Sequence, residues 1–332
     1  MNKFVTEKRL AHYDALKLLA IYLVILGHAI QFFVNRPPGD EPMWYFIYAF
    51  HMPLFMMISG FFSKSSMNMD FMGLIRKKTR QLLLPLFTWT LIIMAIEPLF
   101  TYQLNYNFLN SFWFLRSCFL CYIFTYLVFR FKKYRKLWIC ISIIMVQFIP
   151  FCKLPIMYPC FILGIVLADS KRLRQWIGEY WLVLCIVFFI LLISCDWYKI
   201  GNVNFASAIK SGNWMGIVLY WTGRLYKFSI GAIGSLALIG LFTKYFTPPH
   251  HLWTKTILSW GKYTLGIYCF QTLLLGVVLR FVNCDIISPI IFNYIVAPFL
   301  SIIILAVCAC VVMFIEKSRL LSFLLLGKQY FD

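Results

Sequence analysis

Apolar runs of about 20 residues, long enough for a helix to cross a bilayer, follow one another along the whole chain. No other feature restricts the fold as strongly. A window of that length picks out Tyr13 to Val34, Trp44 to Ser63, Gln81 to Thr101, Phe112 to Phe129 and Leu137 to Pro150. It then picks out Pro155 to Ala168, Tyr180 to Cys195, a long or broken run from Trp214 to Phe242, Ile257 to Phe281 and Ser288 to Ile315. The fifth and sixth are short, and Pro150 with Pro155 favours a tight turn between them. In hydrocarbon every backbone amide must find its partner within the segment, so such runs fold as helices. The expectation is an all-α, polytopic transmembrane helix bundle of about ten spans. Composition agrees: 62% of the 332 residues are apolar and 13% are charged. A soluble domain has about 25% charged residues, so that class is excluded.

Charge is read as topology. The chain carries 31 basic and 12 acidic residues, for a net charge of +19, which in a soluble protein would suggest nucleic acid. Here the cations cluster in alternate loops. One side holds Lys3, Lys8 and Arg9; Lys64, Arg76, Lys77, Lys78 and Arg80; and Arg130, Lys132, Lys133, Arg135 and Lys136. Lys171, Arg172, Arg174, Lys244, Lys255, Lys317, Arg319 and Lys328 complete it, whereas the opposite loops hold Arg36, Lys153, Lys199, Lys210 and Arg280. The positive-inside rule then puts both termini in the cytoplasm, which an even number of spans also requires. Membrane lipid is the expected surrounding, and no nucleic acid partner is expected.

The eleven cysteines build no framework. Cys118, Cys121, Cys140, Cys160, Cys185, Cys269, Cys308 and Cys310 lie inside apolar runs and read as small buried hydrophobes. The C-x-x-C pair Cys118 and Cys121 lacks the second pair or His motif of a metal site, so no metal is expected. The first apolar run is of full span length without a small-residue cleavage site, so the first helix is expected to be retained. With no internal repeat of 20 to 50 residues, residues 1–332 read as a single membrane-embedded domain.

Ionisable groups inside spans are costly and mark function by default. His28 stands in the first run, with Lys17 eleven residues earlier and Asp14 fourteen earlier. At about 100° per residue both fall within roughly 40° of its face, some 15 to 20 Å nearer the N-terminal end. Asp14 and Lys17 also suit an i, i+3 ion pair. The second run enters from the opposite side and reaches His51 at nearly the depth of His28. Glu97, Arg116 and Gln271 are candidates for the same polar chamber, with Lys262 near the inner mouth. A structural ion pair is the plain alternative for Glu97 and Arg116, and interhelical bonding for Gln271. Arg76, Lys77, Lys78 and Arg80 are either topogenic anchors that meet lipid headgroups or a clamp for a polyphosphorylated donor. Trp44, Trp113, Trp214 and Trp221 suit either interface anchoring or stacking on sugar faces. His12, His250 and His251 receive no role.

Several stretches match a known pattern. They are Tyr13-Asp14-Ala15-Leu16-Lys17 leading to Val24-Ile25-Leu26-Gly27-His28, then Phe50-His51-Met52-Pro53-Leu54-Phe55 and Ile58-Ser59-Gly60-Phe61-Phe62. The basic run ending at Arg80 before Leu84-Pro85, Phe112-Trp113-Phe114-Leu115, and Gly261-Lys262-Tyr263-Thr264-Leu265-Gly266-Ile267-Tyr268 continue it. Together they resemble the integral-membrane acyltransferase 3 family, over almost the whole length. The resemblance implies a bacterial inner-membrane enzyme that moves an acyl group, usually acetyl, from cytoplasmic acyl-CoA to a hydroxyl of an extracytoplasmic or lipid-linked glycan. Proteins of glycan assembly would be its partners. It also implies that His28 is the family's essential histidine and Lys17 its basic residue, although many members carry Arg there. A histidine common after the late tyrosine is here Gln271, which cannot carry a proton and is left with positioning. The last run stands close to Asp332, so the hydrolase-like domain some relatives append is not expected.

The chemistry expected is a direct transfer. Acetyl-CoA phosphates would rest on Arg76, Lys78 and Arg80, and the thioester would reach past Lys17. His28 would act as general base on the glycan hydroxyl, since an imidazole titrates near neutral pH, and His51 would orient it or stabilise charge. Glu97, Trp113, Arg116, Tyr268 and Gln271 would line the acceptor site. An acyl-histidine relay through His28 is the chemical alternative. A glycan exporter or flippase subunit is the functional one, hinted at by Arg224 and Lys227 within the long eighth run.

Overall fold

A computed structural model describes residues 2–101, 111–131, 133–149, 151–200, 205–247 and 251–329. Among them the regular elements are all helical. The principal ones are α1 (Asn2–Phe33), α2 (Pro42–Phe61), α3 (Phe71–Lys78), α4 (Leu84–Thr101), α5 (Trp113–Phe129), α6 (Arg135–Val146) and α7 (Leu154–Asp169). They continue with α8 (Lys171–Glu179), α9 (Trp181–Ser194), α10 (Trp214–Tyr245), α11 (Leu252–Ser259), α12 (Thr264–Leu273), α13 (Ala297–Lys317) and α14 (Arg319–Leu326). Of the expectations above, the Pro150 turn, Lys132 and His250 lie outside the described residues, as do the side chains of Lys3, Lys8 and Arg9.

Six helical stretches among the described residues are long and apolar enough to cross a membrane: Ala11–Phe33, Pro42–Phe61, Phe71–Phe100, Phe151–Asp169, Trp214–Tyr245 and Pro289–Lys317. A seventh results if α8 and α9, bent by 71° at Tyr180, form one span. Trp113–Phe129 and Thr264–Val278 are apolar but shorter. Large apolar side chains such as Leu99, Ile193, Phe299 and Phe314 point outward, as a surface that meets lipid allows.

Two runs differ from their sequence reading. Trp214 to Phe242 is unbroken: α10 continues through Arg224 and Lys227 for 32 residues, because its backbone ladder is interrupted by neither Pro nor an inserted side chain. Ile257 to Phe281 is broken instead. Its first part forms α11, the chain turns through a short 3-10 segment at Trp260–Lys262, and α12 begins at Thr264.

Some helix starts are fixed by short polar side chains that satisfy orphan backbone amides. Asp70 accepts from Gly73 N at the start of α3, Ser170 from Leu173 N at α8, and Asn213 from Gly216 N at α10. Arg174 in α8 donates to the Ala168 carbonyl at 2.9 Å, capping the negative end of α7 with a cation. Among the described residues, three five-residue segments are wound as π-helix, at Thr79–Leu83, Leu274–Val278 and Phe292–Val296. Such turns are rare and cluster at functional positions.

The chain divides into two compact units, Met1–Trp44 with Ser65–Phe129 and Thr247–Asp332, and Tyr45–Lys64 with Arg130–Phe246. In the first, α1 packs against α12 and α13. The Cys284 amide donates to the Phe33 carbonyl at 2.8 Å, and Trp89 Nε1 to the Leu325 carbonyl at 3.0 Å. In the second, α10 packs against α7, α8 and α9. There α2 and α7 cross so closely that a Cβ on Gly60 would stand 2.0 Å from the Phe161 carbonyl oxygen, and one on Gly164 2.0 Å from that of Met57. Small residues at such a crossing let two backbones meet in van der Waals contact.

Candidate active site

His28 lies on α1 between Gly27 and Ala29, both buried. Its Nδ1 is 3.0 Å from Oε1 of Gln271 in α12. The amide is oriented by its other end, since Gln271 Nε2 donates to the Tyr268 carbonyl at 3.2 Å and to Thr272 Oγ1 at 3.1 Å. An amide oxygen only accepts, so Nδ1 carries the hydrogen and the neutral imidazole keeps its lone pair on Nε2. Gln271 is completely buried, which holds this pair against competition from bulk water. The Phe32 ring packs 5.7 Å from that of His28.

Lower on the same helix, Lys17 Nζ lies 3.1 Å from Asp14 Oδ1, the i, i+3 pair the spacing suggested. The 3-10 turn Trp260–Lys262 docks here: a Cβ on Gly261 would fall 2.2 Å from the Asp14 carbonyl oxygen, so only glycine lets this turn approach α1. Lys262 is exposed beside it.

The cations of the basic run occupy different surroundings. Arg76 is exposed. Lys78 is turned inward and buried, its Nζ 3.7 Å above the Tyr122 ring of α5 and 3.3 Å from Gln81 Oε1. Arg80 sits in the first π segment, and its Nη1 donates to Oε1 of Gln329 beyond α14. Glu97 in α4 is buried, and Arg116 in α5 is partly buried. Trp113 meets the Phe114 ring edge-on at 6.1 Å. Tyr268 spends its hydroxyl on the Ser111 carbonyl at 3.1 Å, which ties α12 to the start of α5.

His51 belongs to the second unit. It is buried, and its Nδ1 donates to the Ile47 carbonyl one turn earlier at 2.8 Å. Its Nδ1 proton is therefore committed, as in a core histidine. Among the described residues no group of three or more His, Cys, Asp or Glu side chains could hold a metal ion.

A family model described as an acyltransferase domain, that of acyltransferase 3, matches residues 10–315. The chain belongs to the acyltransferase 3 family. It thus carries a membrane acyltransferase domain over nearly its whole length. Two similar curated proteins are each called nodulation protein NolL. The one from Mesorhizobium japonicum is 29% identical over 49% of this chain and 49% of its own length. The one from Sinorhizobium fredii is 28% identical over 66% of this chain and 67% of its own. The chain thus spans about half the length of the first and two thirds of the second. No solved structure matches.

Within this acyltransferase 3 protein, the motif stretches divide between chemistry and packing. His28, Lys17 and the basic run carry reactive or charged groups, whereas the Ser59-Gly60 pair serves the close crossing of α2 with α7. Sequence reasoning missed Tyr122 and Gln81, the neighbours of Lys78. A stripe of buried polar residues at helical spacing, Ser117, Cys118, Cys121, Tyr122 and Thr125, was the available signal. It also took Arg36 only as a loop charge and passed over Glu41 and Asn293, which are joined and buried at the far end of α1.

Proposed function

We propose that this chain is a membrane O-acyltransferase that moves an acyl group, most simply acetyl, from cytoplasmic acyl-CoA to a hydroxyl of an extracytoplasmic or lipid-linked glycan. The observation that carries this reading is the hydrogen bond from His28 Nδ1 to Gln271 Oε1 at 3.0 Å, in a chain of the acyltransferase 3 family. A histidine locked in that tautomer offers Nε2 as general base, the role that acyl transfer to a hydroxyl needs.

Lys17, oriented by Asp14, stands on the donor side, and Arg76, Lys78 and Arg80 hold the CoA phosphates as charge-assisted partners. Trp113, Arg116, Glu97 and Tyr268 line the acceptor side, with Gln271 positioning the base. A single domain spans residues 1–332 in the bacterial inner membrane, with about ten crossings and both termini cytoplasmic, and it works beside glycan-assembly proteins. Support for the orientation comes from the cation clusters in alternate loops. The run that hinted at an exporter, Trp214 to Phe242, is the continuous helix α10, so it lends the exporter reading no broken helix.

Mass spectrometry of surface glycans from cells with and without this protein tests the reading. A lost ester of defined mass is expected, and it names both acyl group and acceptor. Identical ester content in the two strains contradicts it.

A further inference from the structure

At the end of α1 beyond His28, three polar side chains of the first unit converge. Glu41, just before α2, is buried, and both its oxygens are occupied. Oε1 lies 3.3 Å from Arg36 Nη1, and Oε2 accepts from Asn293 Nδ2. Asn293 is buried in the π segment Phe292–Val296. Each flanking residue is left with one unused group: Arg36 Nη2, a donor, and Asn293 Oδ1, an acceptor, both buried without a hydrogen-bond partner. Burying such groups unpaired is costly, so a structural ion pair alone accounts for the carboxylate but leaves these two atoms unexplained.

One donor and one acceptor flanking a single carboxylate are complementary to a group that both accepts and donates, and an alcohol hydroxyl does both. The cluster lies just beneath the surface: the Arg36 side chain is 31% exposed whereas that of Glu41 is 5% exposed. It is also held in place. The Cys284 amide binds the Phe33 carbonyl, and the Asn35 amide and side chain bind Asp285 at 3.0 and 2.8 Å. About 8 Å of α1 separates His28 from Phe33, so the cluster lies beyond His28 at the same end of the helix.

We infer that Arg36, Glu41 and Asn293 form a subsite for a hydroxyl of the glycan acceptor, next to the hydroxyl that reacts at His28. This rests on the acyl-transfer reading and the orientation proposed above. Arg36 Nη2 donates to the sugar oxygen, the sugar hydroxyl donates to Asn293 Oδ1, and Glu41 holds both side chains in register.

The test uses the full chain in nanodiscs and, as probe, the surface glycan of the producing cells stripped of its esters with mild alkali. Binding is measured by calorimetry without donor. Arg36→Lys keeps the countercharge of Glu41 but loses the second guanidinium N–H, and Asn293→Ala removes the acceptor. Each is expected to weaken glycan binding about tenfold or more with acetyl-CoA binding unchanged; the thermal midpoint is kept in Arg36→Lys and falls in Asn293→Ala, which also takes a partner from Glu41. Arg36→Lys decides the matter if Asn293→Ala does not fold. Glycan affinity within twofold of the parent in the folded variants overturns the subsite, leaving an ion pair with ordered water only, as does a parent chain that binds no stripped glycan. A chain that binds the glycan as described yet transfers no acyl group keeps the subsite and loses the acyl-transfer reading. Unimpaired binding in both variants of an active enzyme does the reverse.

Discussion

Gln271 Oε1 accepts the Nδ1 proton of His28 at 3.0 Å, across 243 positions of sequence. The amide cannot rotate without pointing its NH2 away from the Tyr268 carbonyl, which it meets at 3.2 Å. The pair therefore specifies one imidazole tautomer, as a partner on one ring nitrogen does generally.

Gln271→Leu, which removes the partner and keeps the volume, is expected to lower kcat by roughly tenfold to a hundredfold with little change in KM for either substrate. Gln271→Glu places a carboxylate on Nδ1, which favours the protonated ring and moves the pH–rate profile of kcat upward. A leucine variant with unchanged kcat, or a glutamate variant with an unshifted profile, removes Gln271 from the positioning role.

For the basic run, replacing Arg76, Lys78 and Arg80 together by Gln is expected to raise KM for acetyl-CoA by about a hundredfold, since the bonds these cations make to phosphate are charge-assisted. The parent enzyme should lose donor affinity in high salt, and the triple variant should not. Equal salt dependence in the two would return these cations to topology alone.

The helical class was legible because hydrocarbon leaves few choices. Six of the apolar runs correspond to helices long enough to cross a membrane, whereas Leu137 to Pro150 is helical only as far as Val146 and Ile257 to Phe281 is broken at Trp260–Lys262; Asp14 with Lys17 pairs as their spacing suggested. Three kinds of feature were not. The π segments at Thr79–Leu83, Leu274–Val278 and Phe292–Val296 depend on how neighbouring helices pack and leave no periodic signature. The inward turn of Lys78 onto Tyr122 was hidden, because a cation in a basic run reads as solvated until its neighbour is known. Glu41 and Asn293 lie 252 positions apart, so a carboxylate in a short loop and an amide within an apolar run gave no sign of meeting.

The crossing of α2 and α7 sets a limit on packing. Gly60→Ala or Gly164→Ala puts a methyl 2.0 Å from a carbonyl oxygen, a clash the helices relieve only by separating. A loss of about 3 kcal/mol or more is expected, read as a fall in folded protein recovered from membranes by size-exclusion chromatography. Normal recovery of both variants would show that the crossing is looser than described.

Outside the spans, Asp285 anchors the loop after α12. The Asn35 amide, followed by the Asn35 and Asn283 side chains and the Arg36 charge, holds its carboxyl below the ordinary 3.8 despite the opposing effect of burial. A carboxyl depressed in the folded state stabilises above its unfolded pKa, and the contribution is lost as pH falls through its folded value. Hydrogen-exchange protection at the Asn35 amide should therefore be steady near neutrality and fall below about pH 4. Asp285→Asn should show little of this acid dependence, and an unchanged profile in that variant would exclude the carboxylate as its source.

The most direct measurement is transfer of labelled acetyl from acetyl-CoA to de-esterified surface glycan by the purified chain, with and without His28→Ala. General-base catalysis contributes on the order of 10² to 10⁴ in rate, so the variant should fold, bind acetyl-CoA and lose at least a hundredfold in transfer. Transfer by His28→Ala at the parent rate would contradict the role given to His28 and with it the site described.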